Sequence, residues 1–144
     1  MMDYQSFWYH DRYALVGHSA KKPFPTITCT RLQSRGKTVY PIDPDLKEIG
    51  RQDVLPSLQQ LPVSVPAVII EVPPDETAQV VKDAIERGIK HIWIHQGCDT
   101  PEAIALATGA GVNLCYGTCA VMYLATGYSV HTLHRWINKR RGKY

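Results

Sequence analysis

The chain has 144 residues, of which 44% are apolar and 20% charged. That is the make-up of a folded globular protein with room for one domain of the usual roughly 100–200 residues, and it excludes a disordered polyelectrolyte or a coiled coil. The formal net charge of +3 is more than supplied by Lys139, Arg140, Arg141 and Lys143 at the end of the chain, so no basic face for nucleic acid is implied. No apolar run approaches the roughly 20 residues that cross a bilayer, and the opening MMDYQSFWYHDR lacks the charged start and apolar middle of a signal peptide. A soluble, cytoplasmic protein without nucleic-acid or membrane partners is expected.

In chain order, Tyr4–His10 with Phe7, Trp8 and Tyr9 reads as a short helix. Tyr13–Val16 follows as a first strand, Thr26–Arg35 as a helix stopped by Gly36, and Lys37–Ile42 as a second strand. The proline-rich stretch Asp43–Pro66 is irregular, with one short helix around Leu55–Gln60. Ala67–Val72 opens with four consecutive apolar residues, as a central parallel strand buried on both faces requires. A helix over Asp75–Arg87 places Val80, Val81, Ala84 and Ile85 on one face and stops at Gly88. His91–Ile94 is a fourth strand. Thr100, Pro101 and Glu102 form a helix start of threonine cap, first-position proline and first-turn acid, running to about Ala107. Val112–Cys115 is a fifth strand, followed by helices over Thr118–Ala125 and His131–Arg140, the second with Val130, Leu133, Trp136 and Ile137 as an apolar stripe. Strands alternating with helices predict one α/β domain over residues 1–144: a Rossmann-like, doubly wound, five-stranded parallel sheet in the order 3-2-1-4-5, with helices on both faces.

In such sheets ligands bind beyond the carboxyl ends of the strands, where strand order reverses. Those ends are followed here by Gly17-His18-Ser19-Ala20-Lys21-Lys22, Asp43-Pro44, Pro73-Pro74 and Gln96-Gly97. The first of these lies between a strand and a helix, the setting of a phosphate-binding turn. It keeps only the first glycine of the dinucleotide fingerprint, because Ser19 and Lys22 occupy the other two positions, which counts against ordinary NAD binding. Ser19 can donate to a phosphate oxygen, and Lys21 and Lys22 add positive charge. The bland alternative is a tight turn with two solvated lysines.

The cysteines Cys29, Cys98, Cys115 and Cys119 contain no Cys-x-x-Cys pair and read as reduced thiols. Cys98, Cys115, Cys119 and His95 have no ligand spacing that would demand zinc, so no metal is expected. His91 and His95 lie on a strand rather than a helix and do not make a metal pair. His131 and His134 read as a solvated helix edge.

The runs YALVGHSAKKPFPT, RLQSRGKTVYPIDPDLKEI, AVIIEVPPDE and GIKHIWIHQGCDTPEAIALATGAGVNL, followed by Cys119, occur in collinear order over Tyr13 to Cys119. Together they resemble the coenzyme A-binding domain family, small stand-alone proteins similar to the opening nucleotide-binding domain of the succinyl-CoA synthetase alpha subunit. The Tyr-Pro-x-Asp-Pro and Ile-Trp-Ile-His-Gln-Gly segments make the match specific. The resemblance implies that Gly17, His18, Ser19 and Ala20, with Lys21 and Lys22 beside them, form the phosphate turn. It also implies that Pro41, Asp43 and Pro44 form the turn after strand two, that Val72, Pro73 and Pro74 lie against the adenine, and that Gln96 and Gly97 line the other wall, with Cys119 near the site. Two prolines offer a flat base a rigid apolar surface. Where many members have Asp-Arg before this cysteine, the chain has Gly117 and Thr118. The synthetase's phosphohistidine belongs to a different domain, so no histidine here inherits its role.

The leading expectation is binding of coenzyme A or an acyl-CoA by its nucleotide end, without catalysis of its own. Two alternatives stand beside it. One is a CoA-dependent enzyme using Cys98 or Cys119 as a thiol, Cys98 being placed just before the Thr100 cap where a helix N-terminus lowers a thiol's pKa. The other is a regulator sensing NAD or another adenine nucleotide, with Asp43 on the ribose.

Overall fold

The computed structural model describes residues 6–21, 25–46, 48–49 and 52–118. Lys22, Cys119, the predicted helix over His131–Arg140 and the basic tail lie outside these residues. A parallel sheet carries the fold: β1 (Arg12–Val16), β2 (Thr38–Ile42), β5 (Ala67–Ile70), β6 (His91–His95) and β7 (Asn113–Thr118), in the order β2-β1-β5-β6-β7. A small antiparallel pair, β3 (Glu48–Ile49) and β4 (Gln52–Asp53), stands apart from it. Three helices connect the strands: α1 (Thr26–Ser34), α2 (Pro74–Glu86) and α3 (Pro101–Gly109). The predicted stops hold, with Gly36 and Gly88 both in the left-handed region. So does the predicted start of α3, where the Ala103 amide donates to the Thr100 hydroxyl (3.1 Å).

Both faces of the sheet are covered, and β5 shows why its sequence is continuously apolar. Ala67 and Ile69 join a cluster with Phe7, Trp8, Tyr13, Leu32 and Trp93 on the α1 side. Val68 and Ile70 join Val81, Ala84, Ala103 and Ala107 on the side of α2 and α3. All four β5 residues are fully buried.

Several expectations need correction. In the numbering of the five core strands the order is 2-1-3-4-5, not 3-2-1-4-5. The reason is the face on which each connection runs. The helix α1 crosses on the Trp93 side, whereas the connection from Asp43 to Pro66 crosses on the other side, where Leu58, Leu61 and Val65 pack with α2 residues. Right-handed crossovers on opposite faces step in opposite directions, so the third core strand comes back to lie beside β1. The helix expected around Leu55–Gln60 is a 3-10 turn over Leu58–Gln60, while Leu55 bridges to Ile42. The N-terminal helix is a 3-10 turn over Ser6–Tyr9. The fifth core strand extends through Thr118, which was expected to begin a helix, after a register shift between Ile94 and His95.

Candidate functional site

The strand order puts the reversal between β1 and β5, whose connections leave on opposite faces, and a crevice opens there beyond their carboxyl ends. The crevice is a cleft of about 140 Å³. Val16 and Gly17 from the end of β1, Ile42 and Pro44 from the end of β2, and Val72 after β5 make one wall. Pro56, Ser57 and Leu58 from the long connection face Glu76, Val80 and Asp83 of α2. The volume falls short of the roughly 300–1,000 Å³ that encloses a whole drug-sized ligand. A cleft of this size encloses at most part of such a ligand.

The walls are fixed by backbone bonds. The Asp43 amide donates to the Leu55 carbonyl and the Leu55 amide to the Pro41 carbonyl, each at 2.9 Å, which ties the long connection to β2. At its other end the Arg87 guanidinium donates to the Leu61 carbonyl (3.0 Å) and ties the connection to α2. Pro41 sits inside β2, the outermost strand of the sheet, where its missing N–H is tolerated.

Beside the cleft, the turn after β1 is built around Asp43, which is 1% exposed. Its carboxylate accepts from the Ser19 amide (2.7 Å), the Ser19 hydroxyl (3.0 Å), the Asp45 amide (2.9 Å) and the Leu46 amide (3.2 Å). The Gly17 amide donates to the Ile42 carbonyl (2.9 Å) and the Lys21 amide to the His18 carbonyl (3.0 Å). Asp43 therefore acts as the internal anchor of the turn.

The basic side chains of the turn meet an acid from the opposite wall. His18 Nδ1 lies 2.5 Å from Glu76 Oε1, His18 Nε2 lies 2.8 Å from Asp45 Oδ2, and Lys21 Nζ lies 2.9 Å from Glu76 Oε2. The hydrogen bond to Glu76, with the nearby Glu76 and Asp45 charges, raises the His18 pKa above its ordinary value. Burial would raise the Glu76 carboxyl, but the hydrogen bonds from Lys21 and His18 outweigh it and hold the group below the usual range.

Val72, Gly17 and Pro44 thus line the cleft, and His18, Ser19 and Lys21 form its border. Pro73 and Pro74 are the cap and first residue of α2, next to Val72 rather than among the residues lining the cleft. Gln96 and Gly97 form the turn after β6, where Gly97 takes φ +87° and the Cys98 amide donates to the His95 carbonyl (2.9 Å). His91 and His95 stand at opposite ends of β6, about 13 Å apart at the strand rise. Cys98 is 1% exposed, and its carbonyl accepts from the Thr77 hydroxyl (2.6 Å). Among the described residues no three His, Cys, Asp or Glu side chains gather as a metal site.

Sequence reasoning passed over Glu76 and Asp83 and placed Val80 only on the helix's apolar face, although the spacing of four and three puts all three on one helical face. It also passed over Pro56, Ser57 and Leu58, whose place depends on how the long connection crosses the sheet.

The chain is similar to several solved structures. A conserved hypothetical protein from Pyrococcus furiosus is 34% identical, with 76% of this chain and 97% of that one covered and a TM-score of 0.68. A hypothetical protein from Pyrococcus horikoshii OT3 is 28% identical, with 81% and 83% covered and a TM-score of 0.73. A dinucleotide-forming acetyl-coenzyme A synthetase from Ca. Korarchaeum cryptofilum, 24% identical, shares the fold over 80% of this chain and 27% of its own, with a TM-score of 0.64. No curated protein sequence matches. The model of the CoA binding domain family matches residues 11–125, which takes in the whole sheet, the cleft and the turn beside it, and the chain belongs to that family.

Proposed function

We propose that this protein is a single binding domain over residues 1–144 that holds coenzyme A or an acyl-CoA by its nucleotide end and catalyses no reaction of its own. The observation that carries this reading is a juxtaposition: an apolar cleft at the strand-order reversal borders a turn bearing His18 and Lys21. A flat base is amphipathic in the same sense, apolar on its faces and joined to anionic phosphates. In this reading the base lies among Val72, Val80, Pro44 and Pro56, with Pro41, Pro73 and Pro74 stiffening the wall from behind. The phosphates lie along Gly17–Ala20 with Lys21, and Asp43 keeps that turn in shape. The pantetheine arm runs toward Gln96 and Gly97, and Lys22 and Cys119, which lie outside the described residues, are the further contacts assigned from the sequence.

Membership in a CoA binding family supports the choice of ligand. Burial of the Cys98 thiol supports binding over thiol chemistry at that residue. The engagement of Asp43 with four internal donors supports CoA over an NAD-type contact to a ribose. Cys29, Cys98 and Cys115 are buried and not joined to one another by disulfides, which suits a reducing cytoplasm.

Calorimetry and thermal unfolding with CoA, acetyl-CoA, pantetheine, ATP and NAD test the reading. CoA at a hundred times its Kd should stabilise the protein by about 2.7 kcal/mol, while NAD at the same concentration leaves Tm unchanged. Tighter binding of NAD than of CoA, or no heat and no shift with CoA, overturns it.

A further inference from the structure

The turn proposed to hold the ligand's phosphates already has an anion on it. Glu76 reaches across from the first turn of α2 and takes two basic side chains of the turn, His18 on Oε1 and Lys21 on Oε2. The second ring nitrogen of His18 faces Asp45, so each imidazole nitrogen has a carboxylate oxygen to donate to, the arrangement that suits the imidazolium form. The chain has thus brought two cations to the border of the cleft and neutralised them from within. A phosphate approaching His18 and Lys21 finds these two partners occupied and a carboxylate in the way.

Resting on the nucleotide-binding reading above, we propose that Glu76 is an internal competitor of the ligand's phosphate: binding requires Lys21 and His18 to exchange Glu76 for phosphate oxygens. Three features support the exchange. The Lys21 side chain is half exposed and that of Glu76 is 27% exposed, so Lys21 can leave the covered Glu76 Oε2 for another anion and the exposed end of the pair is held by modest interactions. Glu76 also lines the cleft, so an occupant there meets its carboxylate. Finally, the pyrophosphate and 3′-phosphate of CoA together offer the same cations more charge and more acceptor oxygens than one carboxylate does. The consequence is selectivity for phosphorylated ligands that can displace the carboxylate. If the displaced arrangement is held by about a tenth of the unliganded molecules, the measured affinity for such ligands is about tenfold weaker than the intrinsic one.

The test compares CoA and adenosine binding by calorimetry in wild type, Glu76→Gln, Glu76→Asp and Asp75→Asn. Glu76→Gln should tighten CoA about fivefold to tenfold, and adenosine, which shares the cleft with Glu76 but carries no phosphate, by less than about twofold. Glu76→Asp keeps the charge but shortens the reach by one methylene, so a gain with this variant comes from releasing the cations rather than from net charge. Asp75→Asn makes the same charge change on an exposed neighbour and should shift CoA by less than about twofold. Equal gains from Asp75→Asn and Glu76→Gln, or unchanged or weaker CoA binding in both Glu76 variants, overturn the competitor role while leaving the nucleotide reading in place. If Glu76→Gln does not fold, Glu76→Asp decides alone. Absence of CoA binding in wild type and in every folded variant removes the functional reading and the competitor with it.

Discussion

At the carboxyl end of the sheet His18 has a carboxylate against each ring nitrogen, whereas at the amino end His10 packs against His91 in a tilted contact with ring centroids 4.3 Å apart. The hydrogen bond to Glu76 raises the first. Burial, then the charges of His91 and Lys37, lower His10 against the opposing pull of Asp11, and burial lowers His91. The surroundings differ as well. The amino end has a wide groove of about 550 Å³ lined mainly by polar residues such as Asp11, Arg12 and Thr38. The cleft at the carboxyl end is about 140 Å³ but walled by valine, isoleucine, leucine and proline. Size alone would favour the amino end. Apolar walls beside a few placed charges at the strand-order reversal are the reason we propose the carboxyl end for the nucleotide.

The sharpest way to separate the two ends is to damage one and read the other. Trp93 is fully buried against Phe7 and Trp8, with centroids at 5.3 and 4.8 Å. Trp93→Ala should cost about 3–5 kcal/mol in urea unfolding. Because this cluster lies on the face away from the cleft, CoA affinity per folded molecule should stay within about threefold. A large binding loss in a folded variant would show the two faces to be coupled.

Asp43→Ala should come next, because it strands the Ser19 amide and hydroxyl and the Asp45 and Leu46 amides. We expect a loss of about 2–4 kcal/mol in stability and at least about a tenfold weaker CoA affinity, read by unfolding and calorimetry on the same preparation. Wild-type affinity in this variant would detach the shape of the turn from ligand binding.

A smaller effect is expected from Val72→Ala, which removes apolar wall from the cleft and should weaken CoA about threefold to tenfold. Pro74→Ala, at the first position of α2, should weaken it less. The reverse ranking would move the base from Val72 onto the prolines.

The smallest effect concerns pH. For His10 and His91 the folded pKa lies below the unfolded value near 6.5, so the unfolded chain binds more protons and stability falls as pH drops through 6.5. His18 has the opposite sign: its contribution is complete below 6.5 and is lost as pH rises through its elevated folded pKa. His10→Gln should therefore flatten the acid limb of the Tm profile between pH 7 and 5, and His18→Gln only the limb above 6.5. A single limb altered by both variants would contradict the assignment of one histidine to each sign.

Much of the fold was legible because it rests on local chemistry. Alternating apolar strands and amphipathic helices, the Thr100 cap, the glycine stops and the continuous burial of β5 follow from periodicity and backbone preference, which act within a few residues. The phosphate-turn candidates were legible for the same reason, as segments that follow strand ends, whereas Val72 entered the site only through the family resemblance. Strand order was only half written. Pro41 inside β2 signals an outer strand, which already disfavours an order with β2 in the interior. Which face the connection from Asp43 to Pro66 crosses depends on Leu58, Leu61 and Val65 meeting α2, a contact between distant segments. The site divides in the same way. The sequence determined which residues end the strands, but only the tertiary structure decided that Asp43 would anchor Ser19 and that Glu76, 58 residues from His18, would close on it. Side-chain pairing across the sheet end is set by the packing of α2 against the strands, and no local pattern encodes it.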